Sequence, residues 1–505
     1  MLRIAPGLAR ALHDTAATRR IEQAALAALP AHTLMRRAGQ AVAQLALALA
    51  PHARRYWIAC GPGNNGGDGL EAATYLLQHG KTPIVTWLGR PADLPADAQA
   101  ALDRARAANV EFASAPPEDC DGAIDALLGL GVSRAPEGML AEHIKHLHQL
   151  RARGLPVLSV DLPSGLQGDT GHTPGPCVQA SHTLALLTLK PGLFTAQGRD
   201  ATGTLWFDDL GVAPTEPPQA RLNPAPVLQA RSHASHKGSY GDVAVIGGAP
   251  GMGGAALLAA RAALHAGAGR VYVGLLDRET ALLDATQPEL MLRRPEALFD
   301  QLDRLVLVYG CGGGAAVAEL LPELLDRAQG LVLDADALNA LAADPALQAQ
   351  LRDRGRRDNG AQATVLTPHP LEAARLLGTE ASTVQQNRLA AAQELAERLA
   401  CVVVLKGSGT VIAAPGAQPH INPTGNARLA TAGTGDVLAG LLGARMSGGL
   451  SSFDAACAAV YTHGQVADAW PSGQALTADA LARALSAPTP PISAAGGHHR
   501  QRRHR

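Results

Sequence analysis

Short apolar or β-branched runs alternate with alanine-rich stretches along almost the whole chain, and this alternation restricts the fold more than any other feature. In the first part the runs are "YWIAC", "TPIVTWL", "GAIDALLG", "PVLSVDLPSG" and "HTLALLTL". In the second they are "DVAVIGG", "RVYVGLL", "RLVLVYG", "GLVLDAD", "ATVLTPHP" and "CVVVLKG", then "TVIAAP". Strands that alternate with helices predict parallel sheets covered on their faces by helices, an α/β architecture. A chain of 505 residues exceeds one ordinary core. The proline-rich, polar segment at 212–228 is the expected boundary, giving units at 1–220 and 228–488 and a basic tail at 489–505 expected to fray.

Charge excludes some partners. Lys and Arg number 43 against 44 Asp and Glu, so no overall field draws in nucleic acid or an anionic membrane. Lysines are scarce (Lys81, Lys145, Lys190, Lys237 and Lys406), which makes a lysine inside a motif informative. The six cysteines lie far apart, without the paired spacing of zinc or redox sites, and suit a reducing cytoplasm. "AVAQLALALA" is too short to span a bilayer and reads as a core helix.

Two glycine loops follow strands. Gly61, Gly63 and Gly66 have the dinucleotide spacing, and so do Gly251, Gly253 and Ala256, with Asp277 further on. The first loop lacks the acidic residue expected to hold a ribose. Tight packing explains either match alone, and a dehydrogenase is the generic alternative. More informative are the side chains that strand ends bring together. "GNNGGDG" carries Asn64, Asn65 and Asp68; "DALLGLG" carries Asp125; "VDLPSG" carries Asp161 and Ser164. Such oxygens suit a hard cation or a polar ligand, whereas each alone could simply cap a turn. Near the other end, "TAGTGDVLAG" sets Asp436 after a glycine–threonine–glycine run at the start of a helix. It either caps that helix or acts on an anion held by the loop.

These motifs carry a resemblance. "GPGNNGGDGL", "DALLGLGVSR" and "VDLPSGLQGDTG" resemble the NAD(P)H-hydrate epimerase domain. "KGSYGDVAVIGG", "TPHPLEAARLLG" and "NPTGNARLATAGTGDVLAG" resemble the ADP-dependent NAD(P)H-hydrate dehydratase, itself similar to ribokinase-like kinases. Their order matches the bifunctional NAD(P)H-hydrate repair family. The resemblance implies a Rossmann-like three-layer α/β/α domain followed by a ribokinase-like α/β domain, both with mostly parallel sheets. It further implies a cytoplasmic homo-oligomer acting on NADHX, NADPHX and ADP.

Matched motif by motif, the resemblance assigns hydrate contacts to Asn64, Asn65, Gly66, Gly67 and Asp68 and to Gly129, Leu130, Gly131, Val132, Ser133, Arg134 and Ala135. Asp161 becomes the proton shuttle, and Asn65, Asp125 and Ser164 the potassium ligands. In the second half it assigns hydrate contacts to Ala255, Gly312, His369 and Asp436, and nucleotide contacts to Lys406, Gly407, Ser408, Gly409, Thr410 and Gly435. Asp436 is then the base that activates the hydrate's hydroxyl beside backbone N–H groups. Magnesium accompanies ADP, with Asp334 and Asp336 either assisting it or capping. The chain departs from the family pattern at Cys311, where proline is usual, at Leu371 and at Asn387. A ribokinase-like small-molecule kinase and a non-catalytic nucleotide sensor are the competing readings.

Overall fold

The computed structural model describes residues 1–90, 94–227, 231–280, 282–357 and 363–485. Every expected run forms a strand, and the strands assemble into two sheets. The first has eight strands in the order Leu2–Arg3, Thr204–Asp208, His182–Leu186, Val157–Val160, Gly122–Ala126, Arg55–Cys60, Thr82–Trp87 and Glu111–Ala113. All neighbours run parallel except the Leu2–Arg3 pair. The second sheet has eleven strands and is parallel from Met291–Arg293 through Asp242–Gly247 to Val402–Leu405. It continues antiparallel through Val411–Ala413 to His420–Ile421.

The two sheets do not divide the chain at residue 220. Ala220–Leu222 lies beside His420–Ile421, and Arg10–Leu12 pairs with Ala220–Leu222 at the far edge of the second sheet. A strand near the start of the first half thus completes the sheet of the second, and part of the expected linker is sheet. The tail at 489–505 and the end of the 228–488 unit lie outside the described residues.

"AVAQLALALA", apart from its last residue, which caps the end, lies within the helix Thr33–Leu49, which buries Leu34, Ala38, Val42, Leu45 and Ala46 at helical spacing. One apolar cluster joins Leu162, Leu166 and Leu193 from the first half to Leu405, Val411 and Ile421 from the second. The halves therefore share a core rather than a loose hinge. No helix among the described residues is long and apolar enough to cross a membrane.

Candidate active sites

The first site forms where parallel strands end, as open α/β sheets favour. Asn64 opens the helix Asn64–Gln78 directly after the strand Arg55–Cys60, so the "NNGGD" residues form a helical first turn. A cavity of about 400 Å³ is lined there by Asn64, Asn65, Asp68, Gly129, Leu130, Gly131 and Asp161. Glu22 and Lys190, which the motifs did not single out, join them. Gly66, Gly67, Val132, Ser133, Arg134 and Ala135, expected as contacts, do not line it. A Cβ on Gly66 would lie 2.1 Å from the Gly61 carbonyl oxygen, and one on Gly61 would lie 1.8 Å from that of Leu127. These fingerprint glycines are therefore required by close backbone packing. In the second half Asp277 accepts from the Glu279 N–H and the Thr280 hydroxyl, closing a turn rather than awaiting a ribose.

Asp161 follows the strand Val157–Val160 with φ of 63°, a left-handed conformation that costs a non-glycine residue about 1–2 kcal/mol. Two bonds hold its carboxylate: the Leu186 N–H donates to Oδ1 over 3.1 Å, and the ammonium of buried Lys190 donates to the same oxygen. Lys190 also donates to the Leu186 carbonyl over 2.8 Å. Asp68 contrasts with it. Burial, reinforced by neighbouring acids including Asp161, raises its carboxyl well above the usual range, which favours the neutral form.

Asp125 and Ser164 lie beneath this cavity rather than in its wall. Asp125 is fully buried and accepts from Ser159 Oγ (2.7 Å), Ser164 N (2.9 Å) and Ser164 Oγ (2.5 Å). Burial raises its pKa and the serine bonds counter this. Asn65 Nδ2 is buried without a partner, and its amide oxygen lies close to Gly129. A buried carboxylate whose bonds come only from serine hydroxyls and backbone N–H groups, with no ammonium or guanidinium partner among the described residues, is the donor type that fits a monovalent cation bound by oxygens.

The second site centres on the helix Thr434–Ser447. Gly433 caps it with φ of 88°, and no side chain bonds its first turn as a cap. Asp436 therefore does not serve as the N-cap. Burial raises its pKa to about 6, aided by Asp334; Cys311 and Lys406 act in the opposite sense. Cys311 Sγ and one oxygen each of Asp334 and Asp436 lie within 4.8 Å of one another. Lys406 donates to Asp334 Oδ1 over 2.7 Å, and its ammonium would lie 3.3 Å from a Cβ on Gly435. Asp334 is thus partnered rather than capping, while Asp336 accepts from the Gly314 N–H.

Lys406 leads a hairpin turn between the antiparallel strands Val402–Leu405 and Val411–Ala413. Lys406, Gly407, Ser408, Thr410 and Gly435 line a second cavity of about 550 Å³. Gly409, expected there, faces away: its Cβ would lie 2.0 Å from the Phe194 carbonyl oxygen. Ala255 and Gly312 adjoin each other outside that cavity, and a Cβ on Gly312 would come within 2.9 Å of Ala255. His369, half-exposed, caps the helix Pro370–Leu377 through Nδ1, which accepts from the Leu371 and Glu372 N–H groups. Its Nε2 lies 3.3 Å from Glu372 Oε1, so both ring nitrogens have partners on the same helix turn. Burial raises its neighbour Glu372 to about 7.

Sequence reasoning missed His463. Buried and held neutral with a pKa near 4, it bonds the Thr434 carbonyl through Nε2 over 2.9 Å. It thereby fixes the turn that carries Gly435. Its helical apolar surroundings gave no signal. Lys190 did give one, being one of the few lysines.

Two family profiles match the chain. One described as "YjeF-related protein N-terminus" covers residues 31–192, and one described as "NAD(P)H-hydrate dehydratase" covers residues 243–488. A protein of Escherichia coli (strain K12) named bifunctional NAD(P)H-hydrate repair enzyme is 38% identical over 468 residues, 88% of this chain and 87% of its own length. Its namesake from Moorella thermoacetica is 39% identical over 82% of this chain and 83% of its own. An ADP-dependent (S)-NAD(P)H-hydrate dehydratase of Neisseria meningitidis is 43% identical over 51% of this chain and 86% of its own. With both cavities built from the motifs of its two halves, the chain belongs to the family of bifunctional NAD(P)H-hydrate repair enzymes.

Proposed function

We propose that the chain repairs hydrated NADH and NADPH, epimerising the R and S forms in the first half and dehydrating the S form with ADP in the second. One observation carries the reading: Asp436 stands in the first turn of a helix whose N-terminal glycines are free of side-chain caps, beside the Lys406 ammonium. Backbone N–H groups and a lysine suit a transferring phosphoryl group, and a carboxylate with a pKa near 6 suits a base at neutral pH.

In the first half the hydrate's hydroxyl-bearing carbon must open and reclose from its other face. Asp161, held by Lys190, accepts and returns the proton, and Asp68 across the same cavity, whose raised pKa favours the proton-bearing form, is the matching acid. Asn65, Asp125 and Ser164 would hold a potassium ion, whose charge would order the loops around the hydrate.

In the second half Asp436 takes the proton of the hydrate's hydroxyl as that oxygen attacks the terminal phosphorus of ADP and AMP leaves. The ring nitrogen's lone pair then expels phosphate. Loss of a proton from the adjacent carbon restores the reduced ring. Lys406, Gly407, Ser408, Thr410 and Gly435 line the nucleotide cavity, and Ala255, Gly312 and His369 take the hydrate. Magnesium would offset charge on the ADP phosphates. Asp334, bonded by Lys406, and Asp336, bonded by the Gly314 N–H, are the carboxylates that the resemblance offers to assist it. The free, scattered cysteines support a reducing, cytoplasmic setting.

Incubating the full chain with hydrated NADH and ADP tests this. Recovery of the reduced-ring absorbance with one AMP and one phosphate per turnover is expected. A stable phosphorylated product would instead make it a kinase.

A further inference from the structure

The nucleotide cavity is not built by the second half alone. Between the strands His182–Leu186 and Thr204–Asp208, the first half sends a segment across to the Lys406–Thr410 loop. The Ala196 N–H and Thr195 Oγ1 both donate to the Ser408 carbonyl, each over 3.1 Å. Ser408 Oγ donates back to the Ala196 carbonyl over 2.9 Å. Gly409 is pressed against Phe194, as described. Three and four residues past Ala196, Arg199 and Asp200 enter the cavity wall.

Arg199 is the telling residue. Its Nη2 donates to the Pro423 carbonyl (3.2 Å) and to the Gly425 carbonyl (2.7 Å). Among the described residues its Nη1 and Nε have no hydrogen-bond partner, neither is fully buried, and the residue lines the cavity. Asp468 and Asp200 act on it only through space, and Asp468 spends its oxygens on the Gly425 N–H and the Asn426 amide. A half-buried guanidinium anchored by one nitrogen, with its other donors open to a cavity, is arranged to receive an anion.

We infer that Arg199 of the first half is a phosphate contact for the nucleoside diphosphate bound by the second, making the nucleotide cavity a composite of both halves. This rests on the ADP-dependent reading above. Lys406 and the Gly435 turn hold the phosphoryl group that is transferred, and Arg199 binds an oxygen of the diphosphate through Nη1 or Nε. Because Thr195 and Ala196 grip the Ser408 turn, the arginine and the loop stay in register.

The test measures ADP and adenosine binding to the full chain by calorimetry, with epimerase rate and melting temperature recorded for each variant. Arg199→Ala is expected to weaken ADP by about tenfold while leaving adenosine within about twofold. Arg199→Lys, which keeps the charge and guards against misfolding of the alanine variant, recovers most of the loss. Epimerase rate stays at the wild-type level in both. Unchanged ADP affinity in Arg199→Ala overturns the inference, as does an equal loss for ADP and adenosine, since the arginine would then merely prop the Pro423–Gly425 turn. Wild-type protein that binds ADP but fails to dehydrate the hydrate with it overturns the proposed activity while leaving the contact standing.

Discussion

Replacing Asp436 by asparagine is expected to stabilise the protein and disable it. The carboxyl's pKa stands near 6 in the folded chain against an ordinary value of 3.8, chiefly because burial penalises its charge. Ionising such a group costs the folded state about 3 kcal/mol at pH 8. The sign follows from linkage: the raised pKa means that the folded state holds the proton more tightly than the unfolded chain. Stability is therefore lost as pH rises from below 4 to above 6. Asparagine removes that loss, and the protein should melt roughly 3–6 °C higher at pH 8. The gain should nearly vanish at pH 3.5, where the wild-type residue is mostly protonated in both states. Dehydration should fall by about 10²–10⁴-fold, the usual worth of a positioned base. Calorimetric scans of both proteins at the two pH values, with dehydration followed by reduced-ring absorbance, measure this. An Asp436→Asn protein that melts no higher at pH 8, or gains as much at pH 3.5, would refute the electrostatic argument.

Other perturbations separate the two sites. Lys190→Met strips the ammonium from the Asp161 carboxylate, so epimerisation should fall at least about 100-fold and stability by roughly 3–5 kcal/mol, read by chiral assay and urea unfolding. Dehydration of pure S hydrate should persist. Gly61→Ala puts a Cβ 1.8 Å from the Leu127 carbonyl and should lower stability by about 1–3 kcal/mol or more, whereas Gly63→Ala, which meets only open space, should melt close to wild type. Replacing potassium by tetramethylammonium should slow wild-type epimerisation, and Asp125→Asn should be slow in both salts. Potassium stimulation of that variant equal to wild type would remove Asp125 from the ion site.

The central strands were legible because each is a continuous apolar run bounded by glycine or proline, as in "DVAVIGG" and "CVVVLKG". Most of the pieces that escaped, among them Arg10–Leu12, Glu111–Ala113, Ala220–Leu222 and His420–Ile421, are two or three residues long and lack such a run; the five-residue Thr204–Asp208 escaped as well. Tertiary pairing alone makes them strands. The sites divide in the same way. Asp161 and Asp436 stood out because a carboxylate beside a glycine or proline turn is a local pattern. Arg199 lies more than 200 residues from its carbonyl partners, and no local pattern links them. The glycines of "GNNGGDG" were read as ligand contacts, but Gly66 and Gly67 are needed by the backbone and side chains packed on them.

The exchange of short strands at the sheet margin has a consequence for anyone who would separate the two activities. Cutting the chain in the exposed stretch around residues 231–236 would carry both Arg10–Leu12 and Ala220–Leu222 away with the amino-terminal piece. The carboxy-terminal piece would then end in the bare two-residue margin His420–Ile421, with backbone donors and acceptors open to any other chain. Expressed alone, that piece should self-associate or precipitate, and supplying the amino-terminal piece in the same cell should restore its solubility.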